Sequence, residues 1–426
     1  MGPREARFPP VAFQDLSHAT RLPLDTTMTQ SRRQVLNAAG AAATGLGLSA
    51  WRPALAQAKA DIVIGAAHPM TGFMSFAGIA SNNAMGDYIN WRNQNGGILG
   101  HKIRYVGEDS AYKVDQGVAV VKKMIASDKP SFIFLDGTPL SKAVARDVLA
   151  TGTVMTGGFS SSEALLDQAV YPHHFLSGPT FGATHEILME YIGRVAKGGE
   201  KPKIALVHTD QEFGNEAIPH SKARAAKLGL PIVQEIVTKP TGVDVTSEVA
   251  KLRRSRPDIV IFQGYIMNPV PEFVRQMREA GMNAQVMSTT YGLDRIMYEA
   301  LAKNGERLTG VMPYRYGYDT DSRMMTTMRE YVAKVRPQQE SISVFYIHAW
   351  LTGMIFCEVA ERCIKANKKL TLPNMKAALE SIREWDTGGL TGLLVDLSEH
   401  QIKTGRVYSY DPGSKRMEPA SGWIRV

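Results

Sequence analysis

The sequence predicts an α/β protein made of two doubly wound, Rossmann-like parallel-sheet domains. Three observations carry this. Short β-type runs alternate with amphipathic stretches of helical period, which is the signature of βαβ units. The alternation comes in two series, one ending near Pro179 and one spanning roughly residues 181–311. The 368 residues that follow an N-terminal leader are a two-domain length.

The elements follow in order. "DIVIGAA" (61–67) reads as a strand, and after the loop "HPMTG" a helix runs from about Phe76 to Asn95, stopped by Gly96-Gly97. "KIRYVGED" is the next strand and "VDQGVAVVKKMIAS" the next helix. "SFIFL" (131–135), "TVMT" (153–156), "KIALVH" (203–208), "PIVQEIV" (231–237), "DIVIFQ" (258–263) and "AQVMS" (284–288) continue the strand series. Helices are expected between most of them, as at 214–228 and 271–280. A helical region (321–383) then precedes a β-type tail, from "LTGLLVDL" through "GRVYSYD". Two doubly wound halves leave a cleft between the carboxyl ends of their strands, where open α/β sheets bind ligands.

The leader is residues 1–58. "MTQSRRQVLNAAGAAATGLGLSAWRPALAQA" (28–58) has the three parts of an export signal. Ser31-Arg32-Arg33-Gln34-Val35-Leu36 resembles the twin-arginine motif, with Val35 and Asn37 departing from its usual Phe and Lys. The apolar run at 38–50 is diluted by glycine and shorter than the ~20 residues a spanning helix needs. Ala56-Gln57-Ala58 is a small-x-small cleavage site. Residues 1–27 lack apolar periodicity, so translation is expected to begin at Met28, and the cleaved product is expected to be a soluble periplasmic protein.

Composition narrows the function. The chain carries +8; residues 1–58 hold six basic and three acidic residues, which leaves +5 spread along the remainder. The basic stretch 251–256 reads as a solvated helix end, and no nucleic-acid partner is expected. Cys357 and Cys363 lie six residues apart on one helical stretch, ~9 Å between Cα atoms. That is too far for a disulfide, which needs less than ~7 Å, so two free packing thiols are expected. No dinucleotide fingerprint, phosphate loop, H-E-x-x-H or nucleophile elbow occurs. His173-His174 are neighbours that point to opposite faces of an extended segment, a poor metal pair. Ser160-Ser161-Ser162 follows a strand, where hydroxyls and helix-terminal amides suit a polar or anionic ligand better than nucleophilic chemistry. Neither an enzyme nor a cofactor is expected.

"IVIGAAHPMTG" and "YINWRNQNGGILGHKIRYVGEDSAYKVDQGVAVVKKMI" resemble the opening of type I periplasmic binding proteins of the leucine/branched-chain amino-acid-binding group. "HTDQEFGNEA" and "IFQGYIMNPVPEFVRQMREAGM" resemble that family's second-domain segments, so the likeness covers 60 to about 310. The resemblance implies two lobes, 59–178 plus 313–395 and 179–312 plus 396–426, joined by three hinge crossovers that close on a small solute. It implies a monomer that docks on the membrane permease of an ATP-binding-cassette importer.

Carried onto this sequence, the resemblance implies ligand contacts from Phe76, Thr138, Ser141, Phe159, Ser160, Ser161, Phe213, Tyr265, Thr290 and Tyr291. Phe73 and Ala77 belong to the same first loop as Phe76. Thr138, Ser141, Ser160 and Ser161 would hold the ligand carboxylate. One departure bears on the solute. The family's ammonium-binding acid would fall at about Thr290 in "TTYGLD". A buried ammonium without a counter-charge costs several kcal/mol, so α-amino acids should be rejected unless Asp136 or Asp294 replaces that acid. A small organic acid, rather than leucine, is therefore favoured, and the rings of Phe73, Phe76, Phe159, Phe213, Tyr265 and Tyr291 would also suit an aromatic acid. The alternatives are a true branched-chain amino-acid binder, a periplasmic sensor's binding domain, and, least in keeping with the absent motifs, an exported enzyme.

Overall fold

The computed structural model describes residues 59–426 apart from 197–198, 240–243 and 304. The export signal, its cleavage site and the start at Met28 lie outside the described residues.

Two separate sheets organise the chain. The first contains β1 (Ile62–His68), β2 (Ile103–Asp109), β3 (Phe132–Leu135) and β4 (Met155–Gly158), all parallel, in the order β2-β1-β3-β4. Between them run α1 (Ser75–Gln94), α2 (Val114–Ser127) and α3 (Thr138–Thr151). In the second sheet β5 (Ile204–Thr209), β6 (Ile232–Thr238), β7 (Ile259–Gln263), β8 (Gln285–Thr289) and β9 (Leu308–Met312) are parallel. Its helices are α4 (Phe181–Val195), α5 (Glu212–Asn215), α6 (Ala217–Leu228), α7 (Thr246–Ser255), α8 (Val270–Glu279) and α9 (Arg295–Ala302). After α10 (Arg323–Val335), α11 (Val344–Lys365) and α12 (Leu372–Glu380), the chain returns to this sheet. There β10 (Thr404–Asp411) and β11 (Arg416–Arg425) add antiparallel on the β9 edge. The final order is β11-β10-β9-β8-β7-β5-β6.

The burial pattern explains why these segments pair as they do. β3, β5, β7 and β9 are buried at every residue, as strands covered on both faces must be, and so read as continuous apolar runs. β6, on the edge, is half-exposed and admits Gln234 and Glu235. Thr180, Asp294, Ser322 and Ser343 start α4, α9, α10 and α11, each side-chain oxygen accepting from a backbone N–H in the first turn. Three passages between the sheets lie side by side. The N–H of Leu176 donates to the carbonyl of His400 at 2.8 Å, the N–H of Ile402 faces the carbonyl of Gly178 at 3.4 Å, and Gly178 abuts Pro313.

Two segments differ from expectation. "LTGLLVDL" is not a strand: positive φ at Gly388, Gly389 and Gly392 turns the backbone repeatedly, and a single bridge between Trp385 and Val395 is its only ladder contact. The helix expected at 214–228 is split into α5 and α6 around Glu216. Both cysteines are free and buried on α11, and burial pushes the Cys357 thiol up to about 12. Among the described residues no helix is long and apolar enough to cross a membrane.

Helix α11 is buried over most of its circumference and packs along α1. Asp87 of α1, itself buried, accepts from Arg336 at 2.5 Å and from the Tyr346 hydroxyl at 2.8 Å, which ties α1 to the start of α11. The helices approach closely at Gly353, where a Cβ would stand 2.8 Å from the Tyr88 ring. Gly353→Val should therefore cost about 1–3 kcal/mol in urea unfolding. Gly422→Ala, with nothing within 4 Å of the added carbon, should stay within about 0.5 kcal/mol. Equal effects would contradict this packing.

Candidate binding cleft

A cavity of about 380 Å³ lies between the carboxyl ends of the two sheets. Each wall is a strand-to-helix turn, which follows from the doubly wound topology. The β3–α3 junction supplies Asp136, Gly137, Thr138, Pro139 and Leu140, and the turn after β4 supplies Phe159. The turn after β2 brings Tyr112, Lys113 and Val114; the β5–α5 turn brings Gln211, Glu212 and Phe213. Ile266 follows β7, Tyr291 follows β8, and Phe181 and Phe345 open α4 and α11.

The apolar part is a set of aromatic rings drawn from both lobes. Tyr291 stacks on Phe345 with centroids 5.5 Å apart and planes 7° from parallel. Phe159 meets Tyr291 at 5.9 Å and Phe345 at 5.6 Å, both edge to face. Phe213 packs against Phe181 at 4.9 Å and Tyr291 at 6.2 Å. A buried polar chain holds Phe213 from behind. Gln263 Nε2 donates to the Phe213 carbonyl at 2.8 Å, while Gln263 Oε1 accepts from Thr289 Oγ1 at 2.6 Å and pairs with His185 Nε2 at 3.0 Å. His185 Nδ1 completes the chain on Ser221 Oγ at 2.6 Å.

The polar part is small. Asp136 is 6% exposed, and its Oδ2 accepts from the Ser110 hydroxyl. Burial, with Asp109 nearby, pushes its carboxyl up to about 6 despite that hydrogen bond. The Tyr291 hydroxyl is buried with no hydrogen-bond partner among the described residues. At the rim, Glu212 accepts from Lys142 of α3 at 2.5 Å and from Ser162 Oγ at 2.7 Å, so an ion pair joins the two lobes beside the cavity.

Of the ten residues the sequence points to, Thr138, Phe159, Phe213 and Tyr291 line this cavity. The other six stand around it. Ser141 lies one turn into α3 and donates to the Gly137 carbonyl at 3.0 Å. Ser160 pairs with His174 Nε2 at 2.8 Å, and that ring's Nδ1 faces Thr156 Oγ1 at 2.7 Å; burial keeps His174 neutral. The Ser161 carbonyl accepts from the N–H of Phe181 at 2.9 Å, which fixes the start of α4. Tyr265 hydrogen-bonds Thr238 behind the wall and leaves its neighbour Ile266 on the cavity. Thr290, at φ +35°, begins the turn that presents Tyr291. Phe76 packs edge-on against Phe345 at 5.6 Å and faces an adjoining groove with Ile79.

The two candidate acids part company here. Asp294 caps α9 and accepts from the N–H of Val344 at 3.2 Å, away from the cavity. Asp136 is on it. Sequence reasoning missed Tyr112, Phe181, Ile266 and Phe345. Phe345 offered a faint signal, two residues after the Ser343 cap of an apolar helix; the others offered only their places at strand or helix ends.

The raised Asp136 value sets a pH signature. Its folded-state value lies above the unfolded one, so its stabilising contribution is fully present below about pH 4 and is lost as pH rises through about 6. At neutral pH the ionised group costs on the order of 1–3 kcal/mol. Asp136→Asn should thus raise the melting temperature at pH 7.5 and leave it nearly unchanged at pH 4. Equal shifts at both pH values would contradict the burial assigned to this carboxyl.

Comparison with known proteins agrees with this fold. Residues 61–411 match the family described as "Periplasmic binding protein". An amino acid binding protein of Pseudomonas aeruginosa is 27% identical over 66% of this chain and 72% of its own length. The chain spans less than two thirds of several other curated relatives, Leu/Ile/Val-binding protein homologues among them. Among solved structures, a branched-chain amino-acid ABC transporter protein from Thermus thermophilus with bound valine superposes with TM-score 0.75 at 19% identity, covering 86% of this chain and 97% of that one. A solute-binding protein from R. palustris in complex with benzoate gives 0.70 at 14% identity, covering 86% and 98%. With two doubly wound sheets facing one aromatic cleft and a family match over most of its length, the chain belongs to the periplasmic binding protein family, in its type I form.

Proposed function

We propose that this protein is the solute-binding component of an ATP-binding-cassette importer of the branched-chain amino-acid type, exported to the periplasm by the signal at 28–58. The observation that carries the reading is the aromatic cavity at the strand ends, lined by residues of both lobes, a construction suited to enclosing and releasing a small solute. The lobes are 59–178 plus 313–395 and 179–312 plus 396–426, with the three adjacent crossovers as the hinge.

The solute is a small organic acid with an apolar, preferably aromatic, body. About 380 Å³ suits a single-ring or branched aliphatic molecule. The first turn of α3, with the Thr138 hydroxyl and the amides ahead of Ser141, supplies carboxylate donors beside those rings. The valine and benzoate held by structural neighbours support an acid of this size. Asp136 favours a second reading within the same role, an amino-acid solute.

Thermal unfolding of the full chain against a panel of amino acids, aromatic carboxylates, aliphatic acids and their amides tests this. A cognate acid at 100 times its dissociation constant should add ~2.7 kcal/mol of stability, and its amide little. No shift with any acid at millimolar concentration would sink the reading. Closure has its own test. Lys142 and Glu212 are about one third exposed, so their pair is worth no more than ~1 kcal/mol. Lys142→Ala should weaken solute binding by up to ~5-fold, with Lys142→Ala/Glu212→Ala no weaker than either alone. Additive losses would argue that the pair does not close the cleft.

A further inference from the structure

We propose that His220 is a proton-operated latch between the two lobes: its charged ring joins a glutamate of each lobe, so that acid conditions hold the cleft closed and alkaline conditions release it. The inference rests on the solute-binding reading above and adds a means of regulating it.

Glu163 opens the short helical turn Glu163–Leu166 after β4 of the first sheet, whereas Glu186 and His220 belong to α4 and α6 of the second. His220 Nε2 lies 2.9 Å from Glu163 Oε2, and its Nδ1 lies 3.1 Å from Glu186 Oε1. A neutral imidazole has one N–H and one lone pair. It can donate to only one of these carboxylates and turns its lone pair on the other. The doubly protonated ring donates to both, and that is the state this arrangement fits. Gly182 of α4 makes room for the ring, since a Cβ there would stand 2.5 Å from it. Burial works against the charged ring, but the hydrogen bonds to Glu186 and Glu163 outweigh it and hold its pKa above the ordinary histidine value.

The charges around the ring make its proton matter. Along the same seam Glu212 accepts from Lys142 and from Ser162, and Glu216 accepts from the backbone N–H of Glu163. Glu216 Oε2 is buried without a partner among the described residues. The carboxylates of Glu163, Glu186, Glu212 and Glu216 thus meet only Lys142 and His220 as cationic side chains. The other basic groups near the ring do not help. Burial keeps His185 neutral, its pKa lowered to about 4, and Arg224, one turn along α6, is paired with Glu190. Loss of the His220 proton leaves Lys142 alone to offset the approach of Glu163 to the second lobe. Glu186 and His220 stay together on packed helices, so the contact that opening breaks is the one to Glu163. Closure therefore raises the pKa of the ring, takes up a proton from solvent, and by linkage is favoured at low pH. The contribution is fully present below the ordinary value of about 6.5 and is lost as pH rises through the closed-state value above it. Since Glu163 is 56% exposed, the latch shifts the ratio of closed to open forms by no more than about fivefold.

Two measurements on the purified full chain, with no solute added, test this. The first follows the His220 ring by NMR titration. Its midpoint should lie above about 6.5 and should fall by about 0.2–0.7 pH unit in Glu163→Gln. The second is X-ray scattering in low salt at pH 5.5 and pH 8.5. The unaltered chain should be more compact at pH 5.5. Glu163→Gln and His220→Gln should each keep the same dimensions at both pH values, and melting scans check that each variant is folded. An unmoved midpoint in Glu163→Gln overturns the proposal, as does a scattering response that survives both substitutions or an unaltered chain whose dimensions ignore pH. Because no solute is present, each of these results leaves the solute-binding reading standing. That reading falls instead if no acid of the panel above stabilises the chain at either pH.

Discussion

The stacking of Tyr291 on Phe345, with Phe159 set edge-on against both, is the contact on which the rest of this molecule depends. Tyr291 comes from a turn after a second-sheet strand; Phe159 comes from a first-sheet turn, and Phe345 from the helix that packs on α1. One continuous apolar core takes residues from both sheets, so the lobes meet through a shared surface. Here the shared surface is aromatic and mostly desolvated, and aromatic pairs add about 0.5–1.5 kcal/mol each beyond their buried area.

Holding these rings in place is the work of buried polar groups that never reach the cavity. His174 pairs with Ser160, and Gln263 pins the Phe213 backbone with His185 and Thr289 behind it. Tyr265 is anchored on Thr238. Each group is buried, so each needs a partner, and a satisfied buried network specifies one arrangement. Residues at strand ends thus divide into those that touch the cavity and those that aim their neighbours at it. Ser160 and Tyr265 are of the second kind, next to Phe159 and Ile266 of the first.

Asp136 breaks the pattern. It is the buried acid on the cavity that the fold leaves largely unanswered, and its raised carboxyl value is the energetic trace of that choice. A structural acid would be spent as Asp294 is, on helix caps and backbone amides.

The sequence by itself determined the alternation of strands and helices, the two-sheet division and the expectation of a cleft at the strand ends, because these rest on local periodicity and turn chemistry. It also placed the residues next to strand ends that make the walls, Thr138, Phe159, Phe213 and Tyr291 among them. It misread "LTGLLVDL", where three glycines at positive φ override an apolar run that looks extended. It could not tell Ser160 from Phe159, or Asp136 from Asp294, since neighbouring residues at a strand end face different ways and only packing says which. Nor could it bring Phe345 to Tyr291, fifty-four positions away, because no local signal encodes a contact made by the docking of α11 between two sheets. Tertiary structure decided those matters: which side chain faces the cavity is set by the partners that claim the others.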